Sequence, residues 1–89
     1  MLITLPTLLQ THTKGEKEVE CGGDTIQQGL LQLVELYPSL KSYIFKQEEQ
    51  LNPFINLYIN GKDIRYLDQE KTLINPDDKV EILLSLAGG

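Results

Sequence analysis

The sequence has few of the residues that form crosslinks and metal sites. Its 89 residues include one cysteine, Cys21, and one histidine, His12. A disulfide within the chain needs a second cysteine, and zinc or iron–sulfur centres need larger sets of cysteine and histidine ligands. We therefore exclude these sites. Because no orienting group accompanies either residue, we expect Cys21 to be a small, semi-buried filler and His12 an exposed loop residue.

Positive charge and long apolar runs are also scarce. The chain has 8 Lys and Arg residues against 13 Asp and Glu, a net charge of −5, which argues against a phosphate-tracking surface for nucleic acid. No stretch approaches the roughly 20 apolar residues of a membrane-spanning helix. The opening "MLITL" has no preceding basic region and stops at Pro6, so it does not match an export signal. We expect a cytoplasmic protein without a membrane or nucleic-acid partner.

The length fits one small domain, which we place at 1–84, followed by a flexible tail at 85–89. Two short segments within the first 20 residues, "MLITL" and "EKEVE", have strand character, and Gly15 offers a turn before the second. We predict that they form a hairpin with a long tip.

The clearest helix signal covers 25–36. Thr25 and Gln28 have the spacing of a capping box, and Pro38 ends the segment. The apolar residues that follow at helical spacing are Ile26, Leu30, Leu33, Val34 and Tyr37. A shorter helix is predicted on the shared face of Leu40, Tyr43 and Ile44, ending at Asn52-Pro53.

The second half of the sequence predicts strands. "FINLYING" alternates with period two, and its Asn60-Gly61 pair is a strong hairpin signal that makes "KDIRYL" the returning strand. "NPDD" is typical of a type I turn, and "KVEILLSL" alternates again. One amphipathic helix is available to cover this sheet, so we predict an α+β fold. If the first and last strands are neighbours, the fold is a β-grasp, or ubiquitin-like, mixed sheet.

The last residues, "SLAGG", replace large side chains with small ones after a strand. One interpretation is a frayed end that tolerates glycine. The other is functional: a glycine has no side chain, so its backbone can enter a narrow channel. We expect the α-carboxylate of Gly89 to be the chain terminus, and adenylation would make it a good acyl donor. Ala87 and Gly88 would form the arm that presents it.

Several motifs together resemble the ThiS/MoaD family of ubiquitin-like sulfur carriers, and within it the carriers of cysteine biosynthesis. They are "LPTLLQTHTKGEKEV", "GGDTI", "FINLYINGKDIRYL" and "DDKVEILLSLAGG", which cover most of the chain. The resemblance implies that Gly89 is adenylated by a ubiquitin-activating-like enzyme and converted to a thiocarboxylate. It also implies that this chain is a carrier and not an enzyme, with no bound cofactor, since ATP and magnesium belong to the partner.

The same resemblance implies an acceptor for the sulfur. For cysteine it is a pyridoxal-phosphate-dependent cysteine synthase, with a metalloprotease that frees the product from the tail; for molybdopterin it is the large subunit of molybdopterin synthase. Two alternatives stay open at this point. One is a protein modifier joined to lysines through Gly89, and the other is a non-catalytic binding module in which the two glycines are incidental.

A docking surface is expected on the sheet face away from the helix. In the predicted alternation Tyr58 and Leu83 point to that face, and Leu86 leads from it into the tail. The alternative is that Leu83 packs under the short helix or the first hairpin. Three cations are expected beside this patch: Lys62, Arg65 and Lys79. Their charges could complement those of a partner, or they could be ordinary solvated surface charges.

Overall fold

The pairing of the first and last described strands organises the fold. The computed structural model describes residues 1–47, 50–64 and 72–84. Strand β1 (Leu2–Thr4) runs parallel to strand β7 (Lys79–Leu84), with Ile3 opposite Val80. Periodicity could not establish this neighbour relation, and the structure confirms it.

The remaining strands extend the sheet on both sides. Strand β2 (Glu18–Glu20) is antiparallel to β1, and strand β5 (Ile55–Ile59) is antiparallel to β7. Strand β6 (Lys62–Asp63) returns beside β5. Among the described residues the order is β2-β1-β7-β5-β6. The predicted hairpins and the α+β class are therefore confirmed; the second half of the proposed returning strand "KDIRYL" lies outside the described residues.

The β5–β6 turn has the backbone that its sequence predicts. Asn60 and Gly61 have φ values of 49° and 86°, both in the left-handed region required by a two-residue type I′ hairpin. Asn60 also fixes the neighbouring strand: its Oδ1 accepts from the amide of Lys79 at 3.0 Å, and its Nδ2 donates to Oδ1 of Asp78 at 3.0 Å. The turn is thereby tied to the start of β7.

The main helix, α2, runs over Ile26–Leu36 and begins at the predicted cap. Thr25 Oγ1 accepts from the amide of Gln28 at 3.2 Å. The side chain of Gln28 reaches back to the amide of Asp24 at 2.6 Å, one residue before the position that a standard capping box would use. The helix ends just before Pro38, as expected from the missing amide of proline.

The sheet has two unlike faces. On the inner face, alternate residues of the central strands pack against α2 and are buried. They form the core with the apolar side of α2: Ile3, Leu57, Val80, Ile82, Ile26, Leu30 and Leu33. The other face, called here the outer face, carries the intervening residues of the strands: Leu2, Thr4, Glu18, Glu20, Asn56, Tyr58, Lys79, Glu81 and Leu83.

A glycine inside α2 allows the helix to approach the start of the chain closely. A Cβ on Gly29 would overlap with Sδ and Cε of Met1, whose side chain is buried in the core. The sequence alone suggests only that Gly29 weakens the helix by about 1 kcal/mol relative to alanine. In the structure this glycine provides the space that Met1 fills.

Short elements appear where the sequence predicted a loop or a single helix. The tip of the first hairpin contains α1 (Thr7–Gln10) and a 3₁₀ turn (Thr11–Thr13). The predicted second helix is a 3₁₀ turn (Pro38–Leu40) joined to α3 (Lys41–Ile44). It is followed by an unpredicted small hairpin of strands β3 (Phe45–Gln47) and β4 (Gln50–Leu51).

The expectation of an exposed loop position for His12 is wrong. Its Nδ1 lies 3.1 Å from Oγ of Ser39, and its ring centroid is 4.9 Å from that of Tyr43. His12 is half-buried, and it joins the tip of the first hairpin to the segment after α2. The contact is consistent with a structural role.

Candidate functional site

The predicted reactive residue, Gly89, and the arm of Ala87 and Gly88 lie outside the described residues, as does Leu86. What the structure describes is the strand that leads to them. β7 pairs with β1 from Lys79 to Glu81 and with β5 from Val80 to Leu84. The chain therefore passes from Leu84 toward its glycines from an interior strand of the sheet.

The reach of this last segment is bounded by chain geometry. Gly89 is five positions after Leu84 in the sequence. An extended chain spans at most about 3.6 Å per residue, so the carboxyl group of Gly89 cannot lie more than roughly 18 Å from Leu84. An enzyme acting on that group must bring its own surface close to this end of the sheet.

The structure places Tyr58 and Leu83 together on the outer face, as predicted. Tyr58 pairs with Glu81, and Leu83 pairs with Asn56, so the two side chains are diagonal neighbours across β5 and β7. Leu83 keeps 39% of its surface exposed. The alternative in which Leu83 is covered by the short helix or the first hairpin is wrong.

One exposed apolar residue near this surface is not among the predicted docking residues. Phe54 lies directly before β5 and is 52% exposed. It stands beside Ile55, which pairs with Leu84, and therefore at the sheet end from which the tail leaves. The signal was available, because Phe54 continues the alternation of Asn56 and Tyr58. We call Phe54, Tyr58 and Leu83 the apolar patch.

Of the three cations proposed to flank the patch, the two that the structure describes lie on opposite faces of the sheet. Lys79 lies on the outer face, opposite Leu2. Lys62 pairs with Ile59, whose side chain belongs to the inner face, so Lys62 stands on the helix side of the sheet. Arg65 lies outside the described residues. The outer face instead carries carboxylates, Glu18, Glu20 and Glu81.

Cys21 is a buried thiol, as expected. Only 2% of its surface is exposed, and burial raises its pKa to about 11, which leaves it protonated at neutral pH. It lines a cavity of about 270 Å³ at the start of β1, whose other walls are Met1, Glu20, Gly22, Gly23, Asp24, Ile74 and Pro76. Because β1 and β7 are parallel, this cavity is at the opposite end of the sheet from the tail.

Within residues 1–47, 50–64 and 72–84, no three His, Cys, Asp or Glu side chains are grouped so that they could hold a metal ion. His12 bonds with Ser39, whereas Cys21 exchanges backbone hydrogen bonds with Met1. The two residues therefore have separate partners. In the described part of the chain, no helix is long and apolar enough to cross a membrane.

The comparisons with known proteins agree with the fold. A family model described as the ThiS family matches residues 3–89. The sulfur carrier protein CysO of Mycobacterium tuberculosis is 33% identical over 89 residues, covering 98% of this chain and 96% of the relative. Sequence similarity thus extends through the glycines that follow β7.

Solved structures give the same result. A chain of the BexX/CysO complex from Amycolatopsis orientalis is similar with a TM-score of 0.88 and 34% identity, covering 99% of this chain and 98% of that one. Small archaeal modifier protein 1 from Methanosarcina acetivorans is similar with a TM-score of 0.90 and 32% identity, with coverages of 99% and 94%. Both likenesses confirm the ubiquitin-like β-grasp fold.

Proposed function

The chain belongs to the ThiS family and is a sulfur carrier protein, and on this premise we propose that it carries sulfur as a thiocarboxylate on Gly89 for cysteine biosynthesis. The observation that carries the proposal is the course of β7, an interior strand whose continuation is Ser-Leu-Ala-Gly-Gly. A rigid body that ends in residues with almost no side chains is suited to insertion into a partner's active site.

The proposed activation consists of two displacement reactions. A carboxylate oxygen of Gly89 attacks the α-phosphorus of ATP, and pyrophosphate leaves. Sulfide then attacks the acyl carbon, AMP leaves, and the product is a thiocarboxylate. The partner, a ubiquitin-activating-like enzyme, binds ATP and magnesium, so this chain is a reactant and needs no cofactor of its own. Because the cycle consumes ATP, we place it in the cytoplasm.

The proposed acceptor is a pyridoxal-phosphate-dependent cysteine synthase, followed by a metalloprotease that releases the product from the tail. Support comes from the CysO relatives, which align over nearly their full length. Molybdopterin synthase is the alternative acceptor. The likeness to a small archaeal modifier protein keeps lysine conjugation as the competing outcome of the test below.

The test is an intact mass measurement on the 89-residue protein after incubation with its activating enzyme, MgATP and sulfide. We expect one oxygen to be exchanged for sulfur, and fragmentation should place the exchange on Gly89. Cys21→Ser is the matched control for adventitious sulfur, because it removes the only thiol of the chain. This variant should react like the wild type.

Three outcomes would contradict the proposal. They are sulfur on Cys21, unchanged sulfur delivery by protein lacking Gly88-Gly89, and high-mass lysine conjugates in place of a thiocarboxylate. To identify the acceptor, thiocarboxylated protein is mixed separately with the cysteine synthase and with the molybdopterin synthase large subunit. We expect the protein to lose its sulfur in the mixture with the cysteine synthase and to keep it in the other mixture.

A further inference from the structure

The cavity at the end of the sheet opposite the tail has no part in the proposed function. Its volume is about 270 Å³. Small-molecule sites begin at about 300 Å³, so this space suits a ligand of only a few non-hydrogen atoms. Its walls come from the start of β1, the end of β2 with the glycines that follow it, and the segment just before β7. The cavity therefore joins parts of the chain that are distant in sequence.

A buried charged group with spare hydrogen-bond donors belongs to one wall. Met1 is only 3% exposed, and its amino group donates to the carbonyl oxygen of Cys21 at 2.8 Å. Oε1 of Glu20 is 3.7 Å from the same nitrogen, which is beyond hydrogen-bond distance. An ammonium has three N–H donors, so the described residues leave two of them for another acceptor. Because a buried charge is costly when its hydrogen bonds are incomplete, the wall favours a bound anionic oxygen.

The carboxylates of the same cavity select against a ligand with a single charge. Glu20 and Asp24 are both exposed wall residues, and they would repel a simple anion. The ammonium of Met1 would in turn repel a simple cation. Glu20 already lies near that ammonium, so Asp24 is the carboxylate better placed to attract a positive group. A ligand that carries an ammonium beside a carboxylate matches both signs of charge, and free α-amino acids have this arrangement.

The remaining walls suit a small apolar side chain. Ile74 is 8% exposed, and Cys21, whose thiol packs as a small apolar group, is 2% exposed. Gly22 and Gly23 add no side chains to the space. At Gly23 φ is 126°, and a Cβ would lie 2.8 Å from that of Gln28, so this wall requires glycine. The cavity thus combines charged groups of both signs with an apolar wall.

We propose that the cavity binds a small apolar α-amino acid, with its carboxylate on the amino group of Met1 and its ammonium on the carboxylate of Asp24. The parallel strands β1 and β7 both begin at this end of the sheet, so the site is separate from the reactive tail. The inference does not rest on the proposed function, because it uses only residues at the end of the sheet away from Gly89.

The test is a titration of isotopically labelled protein, followed by the amide chemical shifts in NMR spectra. L-Leucine is compared with isoamylamine, which is leucine without its carboxylate, and with isocaproate, which is leucine without its ammonium. We expect leucine to shift the amides of Cys21, Gly23 and Ile74 with a Kd of about 1 mM. Each single-charge analogue should bind at least roughly tenfold more weakly, because it lacks one charge-assisted hydrogen bond. The amide of Leu83, near the tail, should not shift.

A charge-removing variant checks the proposed partner of the ammonium. Asp24→Asn should weaken leucine binding roughly tenfold, because the amide that replaces the carboxylate carries no charge. Asp77→Asn is the matched control: it removes the same charge from an exposed residue beside Pro76 that is outside the cavity walls. This control should bind leucine like the wild type.

Three results would overturn the proposal. They are equal binding of leucine and isocaproate, equal losses in Asp24→Asn and Asp77→Asn, and no saturable shift of the cavity amides at about 50 mM leucine. If circular dichroism shows that Asp24→Asn is misfolded, the comparison of the three probes on the wild type still decides. The titration needs no activating enzyme, so its outcome is independent of the mass assay that tests thiocarboxylate formation.

Discussion

The two faces of β7 differ sharply in exposure. Val80 and Ile82 have no exposed surface and pack under α2, whereas Glu81 and Leu83, their immediate neighbours, are exposed. One strand thus contributes to the core with alternate residues and presents a surface to solvent with the others. The difference teaches that stability and recognition can be altered separately by substitutions only one residue apart.

The strongest test of this contrast uses the same substitution on both sides. Leu30, on α2, has no exposed surface, and Leu83 keeps 39%. Leu30→Ala leaves a cavity in the core and should cost about 3 kcal/mol of unfolding free energy, within the range of about 2–5 kcal/mol for such changes. Leu83→Ala should cost less than about 1 kcal/mol, because much of the removed surface was already in water. Urea unfolding of both variants measures the difference.

A cost for Leu83→Ala equal to that of Leu30→Ala would place Leu83 in the core and remove the apolar patch. Partner binding provides the complementary check. Leu83→Ala should weaken binding to the activating enzyme at a temperature where both proteins are folded. Leu30→Ala should bind normally once the unfolded fraction is taken into account.

The second prediction concerns the close contact between α2 and Met1. Gly29→Ala gains about 1 kcal/mol of helix propensity but forces the buried Met1 side chain to move, and overpacking costs about 1–3 kcal/mol. We expect a net loss of about 1 kcal/mol in the free energy of unfolding, measured by thermal melts. Glu35→Ala, at an exposed position of the same helix, is the control and should change stability by less than about 0.5 kcal/mol. A higher Tm for Gly29→Ala would mean that Met1 can leave the core without cost.

The third prediction concerns the start of the helix that covers the inner face. Thr25→Ala removes the acceptor of the Gln28 amide and should cost about 1 kcal/mol. Thr25→Ser keeps the hydroxyl and should cost much less. Thermal melts of the two variants measure whether the stability loss follows the hydroxyl of Thr25. Equal losses would show that the methyl group of Thr25, not its hydroxyl, stabilises this end of α2.

The parts of the fold that could be predicted are those with local signals. A capping residue, a 3.6-residue stripe and Pro38 define α2, and Asn60-Gly61 defines the β5–β6 turn. The hairpin of β3 and β4 was missed because strands of three and two residues are too short to show a period. Contacts between distant segments were missed for a different reason: no local pattern predicts the fit of Met1 on Gly29 or the hydrogen bond between His12 and Ser39.

The candidate site, like the fold, has features that could be predicted from the sequence and features that could not. Strand alternation correctly placed Tyr58 and Leu83 on one face, since side-chain direction in a strand follows from sequence position. The charge of that face could not be predicted, because it depends on which strands are neighbours. Glu18 and Glu81 are far apart in sequence and share a row only because β1 pairs with both β2 and β7.

The smallest expected effect tests the polar contacts at the end of the sheet where β7 begins. Oδ2 of Asp78 accepts from the amide of Asn75 at 2.8 Å, and Oδ1 accepts from Nδ2 of Asn60. These hydrogen bonds, first that from Asn75 and then that from Asn60, hold the pKa of Asp78 below its usual range. A lowered folded-state pKa contributes stability above the unfolded-state pKa, and this contribution is lost as pH falls through the folded value.

Asp78→Asn should therefore lower Tm by a few degrees at neutral pH and by progressively less as pH falls below about 3.9. Melting curves of both proteins between neutral and strongly acidic pH would measure the narrowing gap. Asp77→Asn is the matched control: it removes an exposed carboxylate of the same turn, which accepts no hydrogen bond from the described residues. A gap between wild type and Asp78→Asn that stays constant with pH would mean that the ionised carboxylate is not what joins the β5–β6 turn to the start of β7.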